Sequence, residues 1–534
     1  MLAVVGFLLF FRLGERPLSS PDEGRYAEIA HEMASSGDWV KPTVFGLGYL
    51  RKPPFFYWLT AGSFRLFGES EFSARAVPAF FGLLSVLLVY WFGCRYFDRA
   101  RALAAALMLG TNFWFVQTAR YLVLDAVYSF FLTAALFLFY AGIKSEDKKK
   151  TFPILFFVCL GCAFLTKGPS ALVIVGLPAA IYLVLKKRWK ALSDASWWMG
   201  LGLFFLIVLP WFILMARREP GFLNFFFLHE HVQRFIAPDF EHQEPWYYYL
   251  VMLPLLFFPW SLYRRSWTGE EPNDARRFLW LAVSVIVAFF SLSRSKLPTY
   301  ILPCFPLMAL AAADSWKRWI DSKSVGKIAD FVPVIFLCFV SLALIIGGPI
   351  FLRMNAEKYP KELAGDLQLL GGVVLAGSVL LARSLKRGQA NRFFLSWVCL
   401  MAVISLVIPR IMETMNPNYT SKDFAEKLSP QLKADEEVFV FDHPGPFYDF
   451  AFYLKHPVKL VGLEGELAHF RQDEKAAHIS VSREEFFSRI RDKKPLVAVM
   501  RRSDYIEMDT ALRAGVHILY QNQRKVLIRS EAEG

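Results

Sequence analysis

Charged residues are scarce in this sequence, 20% of 534, and they cluster rather than spread. Cysteine is scarcer still, with six residues and none after Cys399. The opening MLAVVGFLLFFRLG also lacks a basic leader and an A-x-A cleavage site. Low charge with a mean hydropathy of +0.35 excludes an ordinary soluble globular chain. Cys94, Cys159, Cys162, Cys304, Cys338 and Cys399 all fall inside or beside apolar runs, where they read as small packing residues. The pair Cys159 and Cys162 has no partners that would make it a metal or redox motif. The missing cleavage site makes the opening run an anchor, the expected first helix, rather than a removed signal.

What the chain has instead is apolar length. Runs of about 16 to 22 residues recur, each closed by a basic cluster, and about 20 residues at a rise of about 1.5 Å cross the hydrocarbon core. Beyond the opening run, spans are expected near 76–94, 102–118, 124–143, 152–166, 169–185, 198–215, 247–263, 278–292, 298–314, 331–352, 367–382 and 393–411. The chain is therefore a polytopic α-helical membrane protein with about thirteen transmembrane helices. Basic residues gather in alternate loops: Arg95, Arg99 and Arg101; Lys144 with Lys148 to Lys150; Lys186 to Lys190; Arg264, Arg265, Arg276 and Arg277; Lys317 to Lys327; Arg383 to Arg392. Those loops belong in the cytoplasm, and this bias accounts for the net charge of +13 without a nucleic acid.

The charged stretch SSPDEGRYAEIAHEMASSGDWVKP, residues 19–42, then lies outside, in an external loop 14–75. Tyr26, Ile29 and Met33 have helical spacing there, so a helix along the membrane surface is expected, with Glu28 and Glu32 on its wet face. The spans end near 411. From 412 to 534, strand-like EEVFVFD and PLVAVMR alternate with helix-like segments, and Ser482 and Glu485 have capping-box spacing. A membrane domain, 1–411, and a small C-terminal α/β domain, 412–534, are expected, the second also outside.

Lys and Arg on the outer side need a separate cause. Arg25, Arg51, Lys52, Arg120, Lys167, Arg217, Arg218, Arg234, Arg294 and Lys296 sit there near span ends. Singly each is explained by snorkelling or by lipid headgroups; together they suggest an anionic ligand at the outer surface. LRKPPFFYW, FLTKGPS and SRSKLPTYILP each put a lysine near proline at a membrane boundary, on a chain break where a point charge can hold phosphate. Asp22 and Asp125 supply carboxylates. Their ordinary readings are an N-cap for Asp22 and helix-dipole stabilisation for Asp125. His229, Glu230, His231 and His242 include a His-x-His spacing that can bind zinc. An amphipathic loop with Phe225, Phe226, Phe227 and Trp246 in the interface explains the same run, and no metal is assigned.

PDEGRYAEIAHEMASSGDWVKPTVFGLGYLRKPPFFYWLTAGSFRLFG, continuing through LDAVYSFFLT, LTKGP and KLPTYILPCFP, resembles the bacterial lipid A aminoarabinose transferase family of glycosyltransferases, kin of the protein O-mannosyltransferases. The resemblance covers most of the membrane region. It implies a GT-C fold and a polyprenyl-phosphate sugar donor, with transfer on the periplasmic face of the bacterial inner membrane. It also implies that Asp22, with Asp125 opening the matching later helix, supplies the catalytic carboxylates, and that Lys52 binds the donor phosphate. Lys296 and Tyr300 lie in the matching K-L-P-T-Y segment, and both are expected at the phosphate. The chain departs at Arg51-Lys52-Pro53, where aminoarabinose transferases typically read Glu-Lys-Pro, so a metal or amine contact made by that acid does not carry over.

Transfer from a polyprenyl phosphate needs an anion near the acceptor and cations at the departing phosphate. A single inverting displacement is expected, with Asp22 at the acceptor or the developing oxocarbenium charge. Phosphate falls to Lys52 with one or more of Arg25, Lys167, Arg217, Arg218, Arg234 and Lys296. No cofactor is required; a divalent metal has no support. The expected partners are the lipid-linked donor, a lipid (such as lipid A) or glycan acceptor, and the membrane. The alternatives are a protein or glycan glycosyltransferase of the same fold, and a transporter of an anionic lipid-linked substrate. One-sided charge and the lack of duplicated halves weigh against the transporter.

Overall fold

The computed structural model describes residues 1–145, 150–236, 243–262, 273–321, 327–356, 359–433, 436–463, 467 and 474–530. Lys148, Lys149, His242, Arg264, Arg265 and Lys323, all part of the sequence reading, lie outside the described residues. Two compact units arise. The first comprises Met1–Leu13, Leu50–Phe56 and Arg75–Ile411; the second comprises Gly14–Tyr49, Tyr57–Ala74 and Met412–Gly534.

The first unit is the membrane body. Among the described residues, seven helices are long and apolar enough to cross: Glu71–Tyr96, Asp125–Lys144, Ala195–Arg218, Asp274–Leu292, Val332–Met354, Leu363–Lys386 and Ala390–Asn418. An eighth crossing is made if Arg99–Gly110 and Phe113–Ala119, bent by 63°, count as one. The remaining expected segments are shorter, broken or, in Cys304–Asp321, more charged. Thr151–Lys167 and Ser170–Lys186 have 17 residues each, and the opening helix Leu2–Phe10 has nine. Near 247–263 the helix Tyr248–Leu256 gives way to a separate turn at Trp260–Leu262.

The bend has a local cause. The Asn112 side chain accepts from the Phe115 amide at 3.0 Å and donates to the Leu256 carbonyl at 3.1 Å, so backbone groups freed by the kink keep partners. Val332–Met354 turns Ile335, Phe336, Phe339, Leu342, Ile346 and Ile350 outward, an apolar stripe suited to lipid.

Several basic residues of the sequence reading are structural as well as topological. Lys144 and Lys186 reach Asp274 at 2.8 and 2.6 Å, and Arg101, Arg276 and Arg318 meet Asp314 at 2.9, 3.3 and 3.2 Å. Arg120, counted among the outer cations, is buried and donates to the Leu8 and Phe11 carbonyls at the end of the first helix. Its guanidinium satisfies carbonyls that a helix terminus leaves open.

The second unit holds a six-stranded sheet in the order Ser480–Val481, Lys459–Val461, Glu437–Phe441, Leu496–Arg501, Lys525–Ser530, His517–Gln521. The first four strands are parallel and the last two pair antiparallel. Phe439, Phe441, Val461, Phe486, Leu496, Ala498, Met500, Val526 and Ile528 form its core. This is the α/β domain expected from EEVFVFD and PLVAVMR, and the Ser482 hydroxyl accepts from the Glu485 amide at 3.1 Å, capping helix Arg483–Arg491.

Helix Asp22–Ser36 belongs to this unit and differs from the expected surface helix. Glu23, Gly24, Arg25, Tyr26, Ala27, Glu28, Ile29, Ala30 and Met33 are all buried. Gly24 permits this, because a Cβ there would stand 2.5 Å from the Asp449 amide of helix Tyr448–Leu454. Glu28, expected on the wet face, is only 5% exposed. Burial, with Glu32 beside it, pushes its carboxyl well above the ordinary range. Both acids line a cavity of about 400 Å³ with His31, Lys455, His456 and His478.

Candidate functional site

In the membrane unit the candidate residues gather where chain breaks meet. Helix Thr151–Lys167 ends at Gly168, and helix Ser170–Lys186 starts after Pro169, so FLTKGPS is a tight reversal with Lys167 at its lip. Lys167 Nζ lies 2.7 Å from Asp125 Oδ1, and Asp125 is the first residue of helix Asp125–Lys144. The ammonium also stands 4.3 Å from the centre of the Tyr300 ring and 5.6 Å from that of Tyr128. Tyr128 hydroxyl is 2.8 Å from Ser170 Oγ across the same reversal.

The reversal is pinned from the segment Phe225–Gln233. His231 places Nδ1 2.6 Å from the Phe226 carbonyl and Nε2 3.3 Å from the Lys167 carbonyl. Gly168 has φ 87°, and a Cβ on it would stand 2.6 Å from His231 Nε2. Gly168→Ala therefore meets backbone strain and a side-chain clash together. It is expected to cost about 1–3 kcal/mol, read as a lower thermal midpoint in detergent, and to reduce transfer by displacing Lys167. An unchanged midpoint with full transfer would show that the reversal does not fix the lysine.

Residues Phe225–Gln233 form a π-helix, an i→i+5 winding that recurs at functional sites. It delivers Glu230, which is 3% exposed, among cations. Glu230 Oε1 is 3.5 Å from Arg51 Nε, and Oε2 is 3.3 Å from Arg234 Nη1. Lys52 lies within electrostatic reach of Glu230, Arg234, Lys167 and Arg51. Burial pulls the Lys52 ammonium down to about 7, with Arg234, Lys167 and Arg51 pulling the same way and Glu230 opposing them. Burial pushes the Glu230 carboxyl up, but Lys52, Arg51 and Arg234 outweigh it, and the group lies below its ordinary value.

The structure thus brings together Lys52, Lys167, Arg234, Asp125 and Tyr300. Other sequence candidates have other contacts. Lys296 is buried and donates to the Glu244 carbonyl at 2.7 Å, a tie between two loop segments. Arg217 and Arg218 end helix Ala195–Arg218 on exposed surface, unlike the half-buried Lys52, Lys167 and Arg234. His229 and His231 do not converge as a metal pair, since both His231 ring nitrogens face carbonyls. No group of three or more His, Cys, Asp or Glu among the described residues has the geometry to hold a metal ion.

The second unit carries the remaining candidates. Asp22 opens helix Asp22–Ser36 without acting as its N-cap, and its Oδ1 accepts from Arg25 Nη2 at 2.5 Å. The Asp22 side chain is 48% exposed while that of Arg25 is 9% exposed. Arg25 is enclosed by the rings of Tyr26, Tyr49 and Tyr448, at 5.0, 5.8 and 5.8 Å. A buried cation thereby fixes an accessible carboxylate. Beneath it Asp449 accepts from Ser20 Oγ at 2.5 Å and Thr420 Oγ1 at 3.0 Å.

From sequence Arg51 reads as an outer cation and Glu230 as a metal-ligand candidate. The i,i+4 spacing of Glu230 and Arg234 in HEHVQRF carries the signal for that one pair, and the Arg51 contact has no local signal. The tyrosines around Arg25 left no local signal, because Tyr49 and Tyr448 come from distant segments.

Comparison with known proteins gives a consistent result. Residues 19–226 match the family described as dolichyl-phosphate-mannose-protein mannosyltransferase, and residues 424–530 match the aminoarabinose transferase C-terminal domain. The chain is 30% identical to the undecaprenyl phosphate-alpha-4-amino-4-deoxy-L-arabinose arabinosyl transferase of Shewanella sediminis, over 94% of each chain. Its identity to the protein of the same name from Edwardsiella ictaluri is also 30%, over 98% of each. The crystal structure of ArnT from Cupriavidus metallidurans bound to undecaprenyl phosphate is similar with a TM-score of 0.86 and 26% identity, covering 99% of this chain and 97% of that one. The apo form of that protein gives a TM-score of 0.84.

Proposed function

The chain belongs to the undecaprenyl phosphate-alpha-4-amino-4-deoxy-L-arabinose arabinosyl transferase family, a GT-C membrane glycosyltransferase using a lipid-phosphate sugar donor, and we propose that it transfers 4-amino-4-deoxy-L-arabinose from undecaprenyl phosphate to lipid A at the periplasmic face. The observation that carries this is the cationic cluster of Lys52, Arg51, Arg234 and Lys167, set at chain breaks of the membrane unit, in a chain matching these transferases over nearly its whole length. Basic clusters in the alternate loops support the periplasmic orientation of the opposite ends.

In this mechanism the cluster binds the donor phosphate and stabilises the charge that develops as the glycosidic C–O bond breaks. The sugar carbon is attacked by the acceptor oxygen in one inverting displacement, and the electron pair of the broken bond leaves on the polyprenyl phosphate. Asp22, held by Arg25, orients the acceptor and stabilises oxocarbenium charge. Where the acceptor is an already ionised phosphate, no proton need be removed. We assign phosphate binding to Lys52, Arg234 and Lys167, with Asp125 and Tyr300 fixing Lys167. The membrane domain 1–411 and the C-terminal domain 412–534 are proposed as the functional division.

Arg51 favours a second reading on the sugar alone. Where relatives carry Glu before Lys-Pro, a cation here repels a ligand amine and suits an uncharged sugar. Purified protein in lipid vesicles with lipid A and either donor tests both: mass spectrometry should show aminoarabinose-modified lipid A. Modification only from an uncharged-sugar donor would overturn the first reading for the second. No modification from either would remove lipid A as acceptor.

A further inference from the structure

Glu230 sits unlike the other charges of the cluster. Among the described residues its buried carboxylate alone faces both guanidinia, Oε1 toward Arg51 and Oε2 toward Arg234, and it acts electrostatically on Lys52 as well. These cations come from different places: Arg51 and Lys52 from the segment Leu50–Phe56, and Arg234 from one turn beyond the π-helix. Without an anion between them, like charges in a half-buried place would separate or shed a proton. The contacts at 3.5 and 3.3 Å are looser than a tight ion pair, and Oε1 has no hydrogen-bond partner. The carboxylate therefore balances the cations without a tight ion pair to either guanidinium.

We infer that Glu230 is a positioning residue of the donor-phosphate site: its buried carboxylate bridges Arg51 and Arg234 into one cluster beside Lys52 and sets the local field in which that lysine meets the phosphodiester. This rests on the phosphate-binding role proposed above for Lys52. The electrostatics agree with the geometry, since Glu230 is the group that opposes the downward pull of burial and neighbouring cations on Lys52. The sign follows. Removing the Glu230 charge lowers the Lys52 value below about 7, so at neutral pH less of the lysine is charged.

The test pairs Glu230→Gln with Glu230→Asp in the full chain in detergent. Two readouts are taken: the rate at which an amine-reactive acylating reagent labels Lys52 as pH varies, and the donor KM. The donor is a polyprenyl phosphodiester sugar, whose single charge does not titrate in this range. For Glu230→Gln the labelling profile should move to lower pH. Donor KM should rise about 10-fold at about pH 8, and by much less at about pH 6, where Lys52 is charged again. Glu230→Asp should restore most of both. An unmoved labelling profile, or a KM increase of equal size at both pH values, would overturn the proposal by leaving only a structural role. If the labelling profile shifts but wild-type protein neither binds nor uses the donor, the phosphate-site reading fails while the electrostatic link stands.

Discussion

Asp22→Asn is expected to lower the turnover number by about 10²–10⁴-fold, the range for losing a positioned anionic or acid-base group, with insertion and thermal midpoint unchanged. The isosteric amide explains why the two effects separate. Asn keeps an oxygen that can accept from Arg25 Nη2, now at 2.5 Å from Asp22 Oδ1, and Arg25 stays enclosed by Tyr26, Tyr49 and Tyr448. What disappears is the negative charge. The acceptor then divides the possible roles. If Asp22 removes a proton, the defect should be severe for a hydroxyl acceptor and mild for a phosphate acceptor, which arrives ionised. If it stabilises oxocarbenium charge, both acceptors should suffer alike. Transfer at the wild-type rate with either acceptor would remove Asp22 from the chemistry, and Asp22→Glu activity would then carry no meaning.

The membrane character, the C-terminal α/β fold and the strands at Glu437–Phe441 and Leu496–Arg501 were all legible, because the length of an apolar run and its β-favouring content are local properties. Lys52 and Lys167 stood out for another reason, since proline and glycine breaks mark where a membrane chain can present polar groups, and Asp125 stood out as the carboxylate opening a helix. Burial of helix Asp22–Ser36 was not. Its charges at Glu28 and Glu32 have the spacing of a wet face, and only the approach of Asp449 over Gly24 turns that face inward. Arg120 shows the same limit. Its position beside a span end is that of an anion ligand, yet its partners are carbonyls some hundred residues earlier in the chain, at Leu8 and Phe11. Long-range partners decide whether a charge is structural or available, and spacing along the chain does not record them.

Lys52 should give the steepest response to both substitution and pH. Lys52→Gln is expected to reduce transfer efficiency by about 10²–10³-fold, comparable to removing one preorganised donor from developing charge. In the wild type, burial among Arg234, Lys167 and Arg51 brings the ammonium down to about 7. The cation is thus complete below that value and lost above it, while a phosphodiester keeps its single charge throughout. Donor affinity should therefore fall as pH rises through about 7. Because bound phosphate favours the protonated lysine, the fall belongs to KM and not to the turnover number. Lys52→Arg separates charge from shape. A guanidinium stays charged across the range, so its KM should be nearly independent of pH even if its fit is worse. A wild-type KM that is flat through neutrality, with Lys52→Arg no different, would mean that Lys52 does not titrate in the empty site or does not touch the donor. The Lys52→Gln variant then distinguishes the two, since only a lysine in contact with phosphate costs affinity when its charge is removed.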